Sequence, residues 1–425
     1  MTTTSGDWQT RIDGHIEAHQ DELIALARDL IAFPTVSPPG RNSAAAQRFV
    51  GDYLTRLGAD LDVFEVYPGD PDVVGVLRGA GGGRSLLFNG HVDVAEVGLA
   101  SEWRHPPFAA VVEDGRLYGR GAADMKGGLA AALFAARCVR SLGLRLAGDL
   151  VFEVVVGEES GEAGTIACVE RGYSADFAVV PEPTGLTISG QGGVVTAWIT
   201  IQSPETLHDG VRARTIHAGG GLFGASAVEK MVKVIQGLQE LERHWAVTKS
   251  YPGFPPGATT INPAVVEGGR HPAFLADRCA LWCTFHFYPN ETAESVAAEV
   301  EDHVRRVAEA DVWLRRHPPA FRWGGRSMIL DRGEVFPAVP LDQETPGVRC
   351  LAAAHEAVLG RAPSCGMWPS VSDAGWLAQA GIPAVIYGPG ELEQAHARDE
   401  SIAVADLVDA ARVYARLICD WCGVA

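Results

Sequence analysis

Basic residues are the scarce charge in this chain: 35 Lys and Arg stand against 53 Asp and Glu in 425 residues, a formal net charge of −18. Phosphate backbones are bound by basic surfaces, which argues against nucleic acid as a partner. No apolar run is long enough to cross a bilayer, so no membrane partner is expected. The opening residues MTTTSGDWQTRIDG lack the basic start and apolar stretch of an export signal, and a cytoplasmic protein is expected. The eight cysteines have no framework spacing and read as reduced thiols. Cys419 and Cys422 form a CxxC with no second pair, which fits a helix end whose thiols pack as small hydrophobes. Repeats and low-complexity segments are also missing. What remains is 47% hydrophobic and 21% charged, the balance of a folded globular chain. Its length exceeds one ordinary core, so two domains are expected.

The pattern along the chain gives a fold class. Helices are predicted over Asp21 to Phe33, ended by Pro34, over Ala44 to Leu57, ended by Gly58, and over Ala130 to Leu142. Apolar runs at Leu86 to Phe88, Leu150 to Val156 and Phe177 to Val180 read as strands. Strands alternating with helices indicate an α/β domain with a doubly wound mixed sheet. From about Gly193 the texture changes. A strand over Val194 to Ile201, a helix over Ala225 to Leu241, paired strands at Ala258 to Val266 and Cys279 to Phe287, and a helix over Thr292 to Ala308 spell an inserted β-α-β-β-α-β sandwich. The expected division is 1–192 and 323–425 for the first domain and 193–322 for the insertion. The first domain closes with a Val348 to Leu359 helix, an Ala384 to Ile386 strand and an Ile402 to Trp421 helix.

Ligands bind open α/β sheets at the carboxyl ends of strands, and three of the runs end there in acids or histidine. His91-Val92-Asp93 follows the first, Glu158-Glu159 the second, and Glu182, between Pro181 and Pro183, the third. Asp124 lies among glycines in Gly119-Arg120-Gly121-Ala122-Ala123-Asp124-Met125-Lys126-Gly127-Gly128, and His396 follows Gly388-Pro389-Gly390. Each has an ordinary structural explanation: Asp124 as a helix N-cap, Glu158-Glu159 as a solvated acidic turn, the prolines as a rigid loop. Together they make the set that amide hydrolysis needs. A divalent metal activates water and holds the oxyanion, nitrogen and oxygen ligands suit zinc, and a free carboxylate takes the proton. Side chains alternate along a strand, so one of Glu158 and Glu159 can bind metal while the other faces substrate.

In this order the motifs resemble the dinuclear-zinc deacylase and carboxypeptidase family, which includes acetylornithine deacetylase, succinyl-diaminopimelate desuccinylase, aminoacylase and the glutamate carboxypeptidases. The match spans essentially the whole chain, through Gly90-His91-Val92-Asp93, Tyr118 to Gly128, Glu158-Glu159-Ser160-Gly161, Glu182-Pro183-Thr184, and Gly388-Pro389-Gly390 with Ala395-His396. The resemblance implies two divalent metal ions, zinc first, with cobalt or manganese as alternatives. Asp124 bridges them, His91 and Glu182 complete one site, and Glu159 and His396 complete the other. It makes Glu158 the general base and Asp93 the group that orients His91. It makes the insertion a lid through which a homodimer forms, His217 the lid histidine that stabilises the oxyanion in the partner subunit's site, and Asn262 and the Gly388-Pro389-Gly390 backbone substrate contacts. Many relatives carry an arginine before the lid-strand proline that binds a substrate carboxylate. Here Thr284-Phe285-His286-Phe287-Tyr288-Pro289 puts His286 in that place, a shorter and often neutral group. Arg212 and Arg214, in an extra lid stretch from Ser203, could replace that cation or stand as solvated loop arginines. Trp323 to Met328 and Ser372 to Trp376 resemble a branch named either acetylornithine deacetylase or formylaminopyrimidine deformylase. The reading is an amidohydrolase removing a formyl, acetyl or succinyl group from a small-molecule amine or amino acid. A dipeptidase or carboxypeptidase comes second, and a non-catalytic dimeric binding protein third.

Overall fold

The computed structural model describes residues 7–216 and 219–425, and element counts refer to these residues. The chain divides into two compact units, an outer one of Met1–Gln191 with Val339–Ala425 and an inner one of Gly192–Ala338.

The outer unit is built on an eight-stranded mixed sheet. Four neighbouring strands, Leu150–Val155, Leu86–His91, Phe177–Val180 and Ala384–Ile386, run parallel at its centre. Their sequences are nearly continuous apolar runs, buried at every position, as strands covered on both faces must be. On one side an antiparallel hairpin of Asp60–Tyr67 and Asp70–Leu77 extends the sheet. Ile188–Gln191 and Cys365–Trp368 extend it on the other. One face packs Phe88 and Phe152 against helices Gln20–Ile31, Ala44–Leu57, Lys126–Ser141, Pro346–Leu359 and Val404–Cys422. The opposite face packs Leu87, Val151 and Ala178 against the short helices Gly164–Glu170 and Ala374–Gln379. Each leucine-sized side chain so buried contributes about 2 kcal/mol. Cys419 and Cys422 are free and buried at the end of Val404–Cys422. Helix Lys126–Ser141 is rich in Gly and Ala and buried from Lys126 through Ala136. A Cβ on Gly128 would lie 2.0 Å from the carbonyl oxygen of Pro181, so only glycine lets this helix reach the strand end that carries Glu182.

The inner unit follows the order Gly193–Gln202, Ala227–Thr248, Ile261–Gly268, Arg278–Phe287, Ala293–Glu309, Ala320–Trp323, the β-α-β-β-α-β course expected from the sequence. Its sheet is antiparallel. Odd-numbered residues Ile199, Leu281 and Phe285 pack onto Met231, Leu238, Val296 and Val300 of the two helices. Even-numbered positions therefore occupy the other face. The second boundary departs from expectation: the inner unit runs to Ala338, not to 322. Val335–Phe336 pairs with Val194 and Val195, and the Trp198 indole donates to the Arg332 carbonyl at 2.9 Å. A two-residue strand is too short to show in the sequence pattern.

Candidate metal centre

Strand ends of the outer sheet converge on one cluster. His91 is the last residue of its strand, and Glu158 and Glu159 open a single 3-10 turn, Glu158–Ser160, one residue past Val156-Gly157. Gly157 has φ 85°, and a Cβ there would meet the Glu162 Cβ at 2.4 Å, so the turn out of the strand needs glycine. Glu182 comes two residues after Phe177–Val180, and Asp124 lies just before Lys126–Ser141. His396 follows the short turn Leu392–Gln394.

The structure brings these residues within a few ångströms of one another. Asp124 faces two histidines with different oxygens: Oδ1 is 3.3 Å from His91 Nε2, and Oδ2 is 3.3 Å from His396 Nε2. His396 Nε2 is also 2.8 Å from Glu159 Oε2. His91 Nε2 lies 3.7 Å from Glu182 Oε1 and 3.8 Å from Glu158 Oε2. His91, Asp124 and Glu159 form one group of potential ligand atoms, all within 4.8 Å of one another, and His91, Glu158 and Glu182 form a second. Glu158 thus stands as close to His91 as the expected ligand Glu182 does.

The donor set fits a metal. His91 Nε2 and Glu182 Oε2 are buried without a hydrogen-bond partner among the described residues, a costly state unless a cation joins them. Burial and the neighbouring carboxylates push Glu158 and Glu159 above the usual carboxylate range. Burial and Asp124 take Glu182 up to about 8. Against the pull of burial, the neighbouring His396 and His91 imidazoles hold Asp124 low, and Asp124 and Glu159 raise His396 to about 10. A divalent cation relieves this crowding of acids, and two imidazoles among carboxylates suit zinc and its neighbours.

Backbone contacts hold the cluster in place. Ala95 N–H donates to Glu159 Oε1 at 2.9 Å. The Asp93 carboxylate accepts from the N–H groups of Gly157 at 2.8 Å and Glu159 at 3.1 Å. With its oxygens so occupied it lies 3.7 Å from His91 Nδ1. The His91 ring is instead oriented by the backbone carbonyl of Asp93, 3.0 Å from Nδ1, a refinement of the role expected for Asp93. The Gly388-Pro389-Gly390 turn packs on the Glu182 loop: Leu186 N–H donates to Gly388 O and Gly185 N–H to Gly390 O. Sequence reasoning missed Arg120 and Glu400, both buried, whose hydrogen bonds tie the Asp124 loop to the His396 loop. Their signals were an arginine inside the glycine-rich motif and an acid four residues past His396.

The other expected residues belong to the inner unit. Asn262 pairs with Thr284 across the sheet, and His286 lies two residues further along, so both sit on the face away from the helices. His286 N–H donates to Thr260 O at 2.9 Å, and burial lowers its pKa, which favours the neutral ring. Arg212 and Arg214 are exposed, and Arg212 pairs with Glu229, as solvated loop arginines do. His217 lies outside the described residues. No described helix is long and apolar enough to cross a membrane.

A family model described as Peptidase family M20/M25/M40 matches residues 87–420. Two curated proteins, the N-formyl-4-amino-5-aminomethyl-2-methylpyrimidine deformylases of Halalkalibacterium halodurans and Bacillus subtilis, are each 54% identical to the chain, covering 96% of it and 96% of their own length. Among solved structures, the M20 family metallo-carboxypeptidase Sso-CP2 from Sulfolobus solfataricus superposes with a TM-score of 0.74 at 18% identity, over 95% of this chain and 99% of that one. At that identity the likeness speaks for the fold.

Proposed function

The chain belongs to peptidase family M20/M25/M40, and from that premise we propose that it hydrolyses the formyl amide of an aminomethylpyrimidine, using two divalent metal ions, zinc foremost, held by His91, Asp124, Glu159, Glu182 and His396. It is a hydrolase of linear amides. The observation that carries the substrate is 54% identity to two deformylases over 96% of the chain. His286 supports it independently. The pyrimidine named in those relatives has no carboxylate, so a site for it has no use for an arginine clamp.

Bound cations would supply a Lewis acid and lower the pKa of a water to about 7. The chain's own groups do the rest. Asp124 offers one oxygen toward each half of the site. Glu158, the carboxylate of the adjacent pair that Ala95 and His396 do not hold, takes a proton from the attacking water. The new C–O bond forms, the C–N bond breaks, and Glu158 passes its proton to the leaving amine, giving formate and a free aminomethyl group. We read the inner unit as lid and dimerisation domain of a cytoplasmic homodimer, with His217 stabilising the oxyanion in the neighbouring subunit's site. Asn262, His286 and the Gly388-Pro389-Gly390 backbone contact the substrate.

The test is a panel of formyl, acetyl and succinyl amides of aminomethylpyrimidine, ornithine, lysine and diaminopimelate. The formylpyrimidine should exceed every other substrate in kcat/KM by at least about tenfold, the scale on which a pocket separates acyl groups of different size. A higher value on acetylornithine, or on a dipeptide added to the panel, would overturn the assignment.

A further inference from the structure

Behind the candidate centre lies an ion pair sealed from water. Arg120 and Glu400 are 2% and 0% exposed, and Arg120 Nη1 donates to Glu400 Oε2 at 2.7 Å. Such a pair is costly to bury unless its other donors and acceptors are also used; here all but Arg120 Nε, which has no partner among the described residues, are spent on backbone groups of neighbouring loops. Glu400 accepts from the backbone N–H groups of Gly121 at 3.1 Å, Ala123 at 2.8 Å and Asp124 at 3.0 Å. Arg120 donates to the carbonyls of His396 at 3.1 Å, Ala397 at 3.2 Å and Glu96 at 2.7 Å. The guanidinium also lies over the Trp103 ring, 5.2 Å from its centroid. Each member thus grips the other's loop. Arg120, from the Asp124 loop, holds the backbone of His396, and Glu400, from the His396 loop, holds the backbone of Asp124.

We infer that the Arg120–Glu400 pair is a positioning device that keeps Asp124 and His396 in register and thereby sets the affinity of the half-site they share with Glu159. This rests on the metal-binding reading above. Neither residue touches substrate. A carboxylate with four donors fixes a loop more tightly than an amide does, and a planar fork serves three carbonyls and a carboxylate at once, one acceptor more than an ammonium has N–H groups.

The experiment is a calorimetric titration of the metal-free, full-length chain with zinc and with cobalt, repeated for Glu400→Gln and Arg120→Lys, with melting temperature and kcat at each metal concentration. In both variants one of the two binding steps should lose about 10–100-fold in affinity, the usual cost of removing a group behind a metal ligand. Excess metal should restore most of kcat. Wild-type affinity in both variants, with or without a lower melting temperature, would reduce the pair to a structural role and overturn the inference. If Glu400→Gln does not fold, Arg120→Lys decides the question by the same comparison. Wild type that takes up no metal would defeat the underlying reading instead, so the two failures are distinguishable.

Discussion

In the outer unit three carboxylates in or behind the candidate centre are held by main-chain N–H groups: Glu159 by Ala95, Asp93 by Gly157 and Glu159, Glu400 by Gly121, Ala123 and Asp124. The inner unit presents its two expected substrate residues differently. Asn262 and His286 stand on the sheet face opposite the unit's two described helices, and His286 is fixed through its backbone N–H on Thr260. Chemistry that needs ligands placed to a few tenths of an ångström sits on strand ends and glycine-bound turns. On the reading proposed above, substrate choice falls to side chains that can be exchanged without disturbing a core.

Substitutions can break that division of labour. Asp124→Asn should have the largest effect: it weakens the group that faces both histidines, so bound metal, read by atomic absorption, should fall and turnover should drop to background. Chelation of the wild type should do the same and be reversed by added zinc, cobalt or manganese. His286→Arg should leave metal content unchanged and shift preference instead. An added charged clamp should raise kcat/KM for an acetylated amino acid relative to the formylpyrimidine by about tenfold, and an unchanged ratio would remove His286 from recognition. The smallest effect on activity belongs to Asp311→Asn, deep in the inner unit. Asp311 accepts from Lys230 at 2.8 Å and 2.7 Å and from Lys233 at 2.6 Å. Burial alone would raise its pKa, but these lysines and the N–H groups of Leu314 and Trp313 hold it below the usual carboxylate range. The stability it contributes is therefore complete above the unfolded carboxylate's pKa near 4 and is lost as pH falls. The variant should melt a few degrees lower at neutral pH, lose less stability than wild type on acidification, and keep its metal. Parallel acid curves would show that the pair does not act this way.

Much of this was legible because strand ends and glycine-rich turns leave local marks. His91, Glu158, Glu159 and Glu182 each follow an apolar run, and Asp124 sits where only glycines allow the backbone. The Arg120–Glu400 pair left only weak marks, an arginine among glycines and an acid near His396, and nothing local joins positions 280 residues apart. Val335–Phe336, which moved the inner boundary to Ala338, is too short for periodicity to register. The hairpin of Asp60–Tyr67 with Asp70–Leu77 escaped because its first strand is a half-exposed edge with acids between its apolar residues. The orientation of His91 by a carbonyl rather than a carboxylate is a matter of backbone geometry that residue identities do not carry.

The measurement that bears most directly on the centre is formate release from the formylpyrimidine by wild type and Glu158→Gln at equal, verified metal content. Loss of a general base at an intact centre should lower kcat by about 10²–10⁴-fold with two ions still bound. A Glu158→Gln enzyme that turns over near the wild-type rate, or one that has lost its metal, would contradict the assignment of Glu158 as the unliganded base.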